Sequence, residues 1–240
     1  MNVLVVGATG ATGRLLVREL LGRGQNVRVI VRAPDRLPAD VRKHSRLSVV
    51  HSSVLDLSDA EMVRHVDGCN AVASCLGHNL TLKGLFGPPR RLVTDATRRL
   101  CEAVRGNRAE RPVRLVLMST TANSNPDLDE SVSFGQKCVI GLLRVLLPPQ
   151  ADNEKAADYL RTGIGRENGV IEWVAVRPDT LTSENSVTEY ELHPSPTRSA
   201  VFNPGTTSRI NVAHFMAELI TDDSTWNRWK GQMPVIYNKA

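Results

Sequence analysis

The stretch Val3-Leu4-Val5-Val6-Gly7-Ala8-Thr9-Gly10-Ala11-Thr12-Gly13-Arg14 decides how the rest of the chain is read. Four apolar residues run straight into three glycines set three apart, after which Leu15, Leu16, Val17, Leu20 and Leu21 recur at helical spacing. The order is a buried strand, a glycine turn and the opening of a helix. In such a turn Gly7 makes the tight bend, Gly10 lets the backbone approach a diphosphate, and Gly13 lets helix and strand pack closely. The unpaired N–H groups at the helix start, with the positive end of its dipole, then hold an anion. The expected ligand is a dinucleotide, contacted by Gly7, Thr9, Gly10, Ala11, Thr12, Gly13 and Arg14.

Working outward, residues 27–31 (VRVIV), 47–50 (LSVV), 71–75 (AVASC), 113–118 (VRLVLM) and 171–176 (IEWVAV) are further short runs rich in β-branched residues, several of them continuous rather than alternating. Continuous runs suit strands buried on both faces of a parallel sheet. Helical spacing returns between and after them, clearest in Leu92, Val93, Ala96, Leu100 and Val104 and in Val212, Phe215, Met216, Leu219 and Ile220. Strand and helix alternate, which predicts βαβ units and an α/β fold of three layers with a mostly parallel central sheet. Three longer connections, 77–90, 119–150 and 178–209, leave the carboxyl ends of strands, the edge where such sheets bind ligands. The final segment from Trp226 to Tyr237 is expected to close the fold with a short edge strand, its tryptophans packing on the core.

The end of the second strand bears on which dinucleotide is held. A site for NAD commonly sets a carboxylate there for the ribose hydroxyls, whereas NADP calls for an arginine to meet the 2′-phosphate. The chain reads Val31-Arg32-Ala33-Pro34, without an acid. Arg32 is placed for a phosphate, with Arg14 or Arg36 in reach of the same corner, so NADP(H) is favoured over a solvated arginine. After the third strand, Asp56 beside Leu57 either meets the adenine edge or caps the next helix. After the fourth, Leu76 and Gly77 bring backbone to the cofactor ribose, and His78 follows in the loop.

Composition narrows the alternatives. With 240 residues, 41% of them hydrophobic and 23% charged, the chain matches an ordinary globular protein, and one domain over 1–240 is the expectation. No run reaches the length of a membrane span and the first residues lack a secretory leader, so a cytoplasmic protein without stable membrane association is expected. Cys69, Cys75, Cys101 and Cys138 form no disulfide framework or paired zinc motif and are expected to be buried thiols. No metal is expected, since the six histidines show no ligand spacing, and no GxSxG hydrolase motif occurs. The net charge of +5 is local: residues 90–114 hold eight Arg against Asp95, Glu102 and Glu110. Aromatics are absent from that stretch, so a solvated helix face is favoured over a nucleic-acid surface.

Taken together, GATGATGR, the strand-end Arg32, the Asp152–Arg161 stretch DNEKAADYLR, the strand Trp173-Val174-Ala175-Val176-Arg177-Pro178 and Ser208-Arg209-Ile210-Asn211-Val212-Ala213 resemble atypical short-chain dehydrogenases/reductases, along essentially the whole chain. The nearest groups are NmrA-like NAD(P)H-binding proteins and the flavin reductase/biliverdin reductase B type. The resemblance implies a single Rossmann-type domain holding NADP, with the nicotinamide near Ser119, Thr120, Thr121 and Pro178. Those hydroxyls are the candidate catalytic groups, since a hydroxyl there can hydrogen-bond an oxygen that gains charge during hydride transfer. The wider superfamily carries Tyr-x-x-x-Lys at the following helix; here Asn153 stands at the lysine's place and Pro149 four residues earlier. Tyr159 belongs to the core by its position, and Lys155 is about two residues out of register. The implied activity is NADPH-dependent hydride transfer to a conjugated or carbonyl-containing small molecule, achieved by positioning. The alternatives are an NADP-binding regulator or scaffold without turnover, and a non-redox isomerase or dehydratase on the same fold. The apolar segment 134–149 is expected to form a pocket wall or lid, with a dimer contact as rival. Monomer and homodimer both remain open.

Overall fold

In a computed structural model, which describes residues 1–78, 81, 86–107, 109–130, 135, 139–142 and 148–239, the continuous apolar runs become sheet strands. The first half alternates β1 (Asn2–Val6), α1 (Gly13–Gly22), β2 (Asn26–Val31), α2 (Ala39–Arg42), β3 (Leu47–His51), α3 (Asp59–Val66) and β4 (Ala71–Ser74). The second half runs α4 (Leu92–Gly106), β5 (Val113–Met118), α5 (Pro148–Asp158), β6 (Ile171–Pro178), β7 (Thr180–Thr182), β8 (Tyr190–His193), β9 (Thr206–Ser208), α6 (Arg209–Thr221), α7 (Asp223–Trp229) and β10 (Val235–Asn238). A π-helical turn, Tyr159–Ile164, continues α5.

Eight strands form one sheet in the order β3-β2-β1-β4-β5-β6-β10-β8. All neighbours are parallel except β8, which runs antiparallel to β10. β7 and β9 make a separate parallel pair. This is the expected α/β Rossmann-type fold. The strand order reverses direction between β1 and β4, so a crevice opens beyond their carboxyl ends, where sheets of this kind take their ligands.

Two apolar layers sandwich the sheet. On one face α1, α6 and α7 contribute Leu16, Leu20, Phe215, Met216, Trp226 and Trp229; on the other, α3, α4 and the π-helical turn after α5 contribute Met62, Leu100, Val104 and Leu160. Cys69, Cys75 and Cys101 are buried free thiols, as expected, and burial pushes Cys75 and Cys101 up to about 12. Cys138 lies outside the described residues.

The carboxyl-terminal reading needs correction. β10 is an inner strand, pairing with β6 through Val235 and Arg177 and with β8 through Ile236 and Leu192. The sheet edge is β8, from within the 178–209 connection, which therefore carries three short strands rather than a loop alone. Trp226 and Trp229 are 1% and 3% exposed, inside the core. Of the 134–149 segment the described residues are few: Ile140 is buried and Leu142 exposed, and the expected lid otherwise falls outside them. Among the described residues no helix is long and apolar enough to cross a membrane.

Candidate functional site

The glycine turn separates a packing requirement from an open approach. Gly7 has φ +77, and a Cβ on it would stand 2.5 Å from the carbonyl of Cys75 just beyond β4. A Cβ on Gly13 would stand 2.1 Å from the Gly7 carbonyl oxygen. Both contacts are with backbone, so neither position accepts a side chain without moving a strand or α1. Gly10 is exposed, and its nearest neighbour would be the Gly7 oxygen at 3.2 Å. The turn is held by Gly10 N–H donating to Gly7 O and Arg14 N–H donating to Gly10 O, both at 3.0 Å. No side chain caps the start of α1 and no acid stands in its first turn. The N–H groups of Arg14, Leu15 and Leu16 turn back to Gly10 and Thr12 carbonyls, so those of Ala11, Thr12 and Gly13, with the positive dipole end, are left to an anion among the described residues.

Beside this turn lies a crevice of about 520 Å³. Gly7, Thr9 and Gly10 form its floor; Arg32 and Arg36 reach it from the end of β2, Asp56 from beyond β3, and Leu76 and Gly77 from beyond β4. Arg32 and Arg36 are exposed and make no ion pair among the described residues. Asp56 does not cap α3. That task falls to Ser58, whose hydroxyl accepts from Glu61 N–H while the Glu61 carboxylate accepts from Ser58 N–H, leaving Asp56 facing the crevice. Leu57 is 8% exposed and packs into the core. Thr12 and Gly13 are buried beneath the turn. Ala11 and Arg14 line a different crevice, of about 530 Å³, shared with Arg209, so Arg14 is apart from the Arg32 corner.

The other candidate residues gather at the ends of β5 and β6. Thr121 N–H donates to the Pro178 carbonyl at 3.1 Å, and Ser119 N–H to Val176 O at 2.7 Å. The Ser119 hydroxyl oxygen accepts from Asn123 Nδ2 at 2.8 Å, and Asn123 Oδ1 in turn accepts from Gln150 Nε2 at 2.9 Å. Thr120 is half-buried, its hydroxyl accepting from Ala122 N–H. Pro149 lies in the first turn of α5, and Asn153 donates to the Pro149 carbonyl at 3.0 Å, outside the glycine crevice. Lys155 lines a separate hollow with Asn123, Asp158 and Arg161. Tyr159 packs against the core under the Arg98 guanidinium, 5.3 Å from its ring centre, and burial raises its hydroxyl above the usual tyrosine range.

Sequence reasoning picked out His78 among the histidines, but not its partner Asp152, nor Arg177 or Asp179, as chemistry. His78, expected as a loop histidine, donates from Nε2 to Asp152 Oδ2 at 2.8 Å, both side chains being almost wholly buried. The same carboxylate accepts from Val93 N–H at 2.7 Å and Thr94 N–H at 3.0 Å, so Asp152 of α5 caps α4 and pins the chain that follows Gly77. Arg177 is fully buried and donates to Glu130 Oε1 at 2.7 Å and to the carbonyls of Asn123, Met233 and Pro194. This ties the start of the 119–150 connection to β6 and β10. Asp179 is buried beside Thr121; burial raises its carboxyl above the ordinary range, opposed by hydrogen bonds from Gly205 and Thr180 N–H and from the Thr180 and Thr121 hydroxyls. The DNEKAADYLR stretch and the Trp173–Pro178 strand, which hold Asp152 and Arg177, marked these places without their roles.

Another cavity, of about 750 Å³, lies among Met1, Gly68, Asn70 and Arg111, away from every glycine of the turn. Much of the basic 90–114 stretch is spent internally. Arg99 donates to the carbonyls of Val54 and Leu57, and Arg114 to Asp223 and Ile220 O while lying over Trp226. Among the described residues no cluster of potential metal ligands occurs.

A parallel sheet with its reversal point at β1 and β4, a bare helix start and an open glycine over a crevice define a dinucleotide-binding protein of Rossmann type. The residues present fit such a ligand: the space above Gly10 that a Cβ would intrude on is open. Comparison with known proteins agrees. The model of a family described as NAD(P)H-binding matches residues 7–223, and the chain belongs to that family. A 3-diazoavenalumate denitrifying reductase from Streptomyces sp is 35% identical over 139 residues, 54% of this chain and 42% of that relative, so the match spans less than half of its length. Among solved structures, an oxidoreductase, YlbE, from Lactococcus lactis superposes with a TM-score of 0.70 at 19% identity, covering 100% of this chain and 91% of that one. A short-chain dehydrogenase/reductase from Veillonella parvula in complex with NADP gives 0.69 at 14% identity, over 100% and 95%. A Rossmann-fold NAD(P)-binding family protein from Shigella flexneri gives 0.66 at 17% identity, over 100% and 94%.

Proposed function

We propose that the protein is an NADPH-dependent oxidoreductase that reduces a conjugated or carbonyl-containing small molecule, without a Tyr-x-x-x-Lys pair. The observation that carries the choice of NADPH is the corner formed by Arg32 and Arg36. Both guanidinium groups line the glycine crevice, neither has a carboxylate partner among the described residues, and no acid stands at the end of β2. A guanidinium fork meets a phosphate bidentately, and an uncommitted one has no internal bond to give up.

The bound dinucleotide supplies a hydride; the chain's own residues do the rest. The N–H groups at the start of α1 hold the diphosphate, Arg32 and Arg36 hold the 2′-phosphate, and Asp56 borders the adenosine end. Ser119 is set to donate. Its oxygen already accepts from Asn123, whose amide is oriented by Gln150, so the Ser119 proton is the one left for an acceptor oxygen. The name of the 35%-identical relative supports acceptors of this kind, since a diazo group, like a flavin or a conjugated carbonyl, takes up a hydride without a Tyr–Lys acid.

Titration by NADPH and by NADH, followed by cofactor fluorescence, tests the assignment. NADPH is expected to bind the tighter, and Arg32→Asp to weaken it by about 1–3 kcal/mol while sparing NADH. Equal affinities for both cofactors overturn the reading of Arg32. The second reading, an NADP-binding regulator without turnover, is favoured by Asn153 and Pro149 standing where lysine and tyrosine would. NADPH absorbance followed with flavin, quinone and tetrapyrrole acceptors separates the two: oxidation above the protein-free control supports the enzyme, and silence across the panel supports the regulator.

A further inference from the structure

A second crevice, of about 530 Å³, opens on the other side of the glycine turn, between the start of α1, the start of α6 and residues 183–185 that follow β7. We propose that it binds the carboxylate end of a small conjugated ligand, clamped between Arg14 and Arg209. The inference deepens the reductase reading, and rests on it for the claim that this ligand is the substrate.

The charges of the lining argue for it. Four arginines and acids there or beside it cancel one another: Arg18 pairs with Asp40 at 2.9 Å, and Glu19 with Arg23 at 3.0 Å. Arg14 is exposed and has no carboxylate partner among the described residues. Arg209 is held in place by donating from Nη1 to the Thr182 carbonyl and the Ser183 hydroxyl, both at 3.0 Å, which commits one of its nitrogens and fixes the plane of the rest. Among the described residues it too has no acid. Glu184 is the remaining acid of the lining, leaving a surplus of one positive charge that a monoanion neutralises.

The rest of the crevice suits an apolar body behind that anion. Leu15, Ile210, Ala213 and Pro38 provide an aliphatic wall, and Asn185 a neutral polar edge. The location suits a substrate: residues 183–185 continue the chain from Pro178, against which Thr121 is hydrogen-bonded, and Ala11 of the glycine turn belongs to the same lining. Two guanidinium groups converging on one carboxylate give charge-assisted, geometrically selective bonds of the kind that a single solvated arginine does not.

Titration calorimetry with benzoate, trans-cinnamate and the neutral cinnamamide, on the protein alone and saturated with NADP+, decides the matter. At least one carboxylate is expected to bind in both backgrounds, at least about tenfold more tightly than the amide, and Arg14→Gln and Arg209→Gln each to weaken it about tenfold. Arg209→Gln, at a residue outside the glycine turn, should keep NADP+ affinity within about twofold. Arg209→Lys, which preserves the charge, guards against a loop disturbance and should retain most of the binding. Failure of both carboxylates to bind, or binding unchanged in the two glutamine variants, overturns the proposal. So does a parallel loss of NADP+ affinity in Arg209→Gln, which would assign that arginine to the cofactor's diphosphate. Absence of NADP+ binding by the wild type would instead sink the reductase reading, and the titration of the protein alone would still judge the crevice.

Discussion

At the scale of single residues, the three glycines of the turn make unlike demands. Gly13→Ala would press a Cβ against the Gly7 carbonyl, 2.1 Å away, and backbone at both ends leaves no flexible atom to yield. Overpacking of this kind costs about 1–3 kcal/mol, so urea unfolding of Gly13→Ala should show a clear loss of stability. Gly10→Ala meets the Gly7 oxygen at 3.2 Å on an otherwise open side. Its unfolding midpoint should stay near wild type while NADPH affinity falls about tenfold, since the added methyl stands where the ligand approaches. A Gly10→Ala protein that unfolds early and binds normally would reverse the two roles. These positions were legible in the sequence because the motif is local, every residue of it lying within one turn. Asp179 was not, since its burial depends on Gly205 and Thr121, far away in the chain. Its raised carboxyl carries a sign: the folded state binds a proton more readily than the unfolded one, whose value is 3.8. Stability from this group is therefore present below 3.8 and lost as pH rises through the folded value. Asp179→Asn should lower the melting temperature overall, through a lost acceptor for Gly205 N–H, yet flatten its fall across that window. An unchanged slope would mean that Asp179 does not titrate there.

At the scale of elements, the six strands that alternate with helices were readable because their apolar runs are continuous, and a strand buried on both faces has no use for polar residues. β8 escaped, and β10 was expected as an edge strand rather than an inner one, for the opposite reason. Each is four residues long, and β10's place inside the sheet is set by pairing with Arg177 and Leu192 rather than by any pattern of its own. The start of α4 was equally hidden. Arg91 at its cap position offers no side-chain acceptor, and the carboxylate that serves instead comes from Asp152, 59 residues from Val93 in sequence. Asp152→Ala would orphan two N–H groups and the buried His78 together. The expected cost is about 3 kcal/mol, above that of an ordinary cap because the site is dry. Chemical denaturation reads it, and Asp152→Asn, which keeps two acceptor positions' worth of shape but supplies only one acceptor, should fall between. A loss below about 1 kcal/mol in the alanine variant would mean that water replaces the carboxylate.

At the scale of the whole molecule, the carboxyl edge of the sheet is built in two halves with different fastenings. The half over β1, β2 and β4 is lined by the backbone of the glycine turn and by two arginines without an acid partner among the described residues. The half over β5 and β6 is fastened by one buried ion pair: Arg177 holds Glu130, and through the carbonyls of Asn123, Met233 and Pro194 it gathers three separate stretches of chain. Removing the carboxylate leaves a guanidinium in the interior without a counter-charge, which costs about 3–5 kcal/mol. Glu130→Ala should therefore unfold at markedly lower urea concentration. Its affinity for NADPH, titrated where the variant is still folded, should stay within about twofold of wild type, because sites without shared partners add independently. Activity toward any acceptor should fall further than affinity, as Ser119 is oriented by Asn123, whose carbonyl Arg177 holds. If NADPH affinity instead fell in step with stability, the two halves would behave as one cooperative unit, and the hydroxyls at the end of β5 could not be altered without disturbing the dinucleotide.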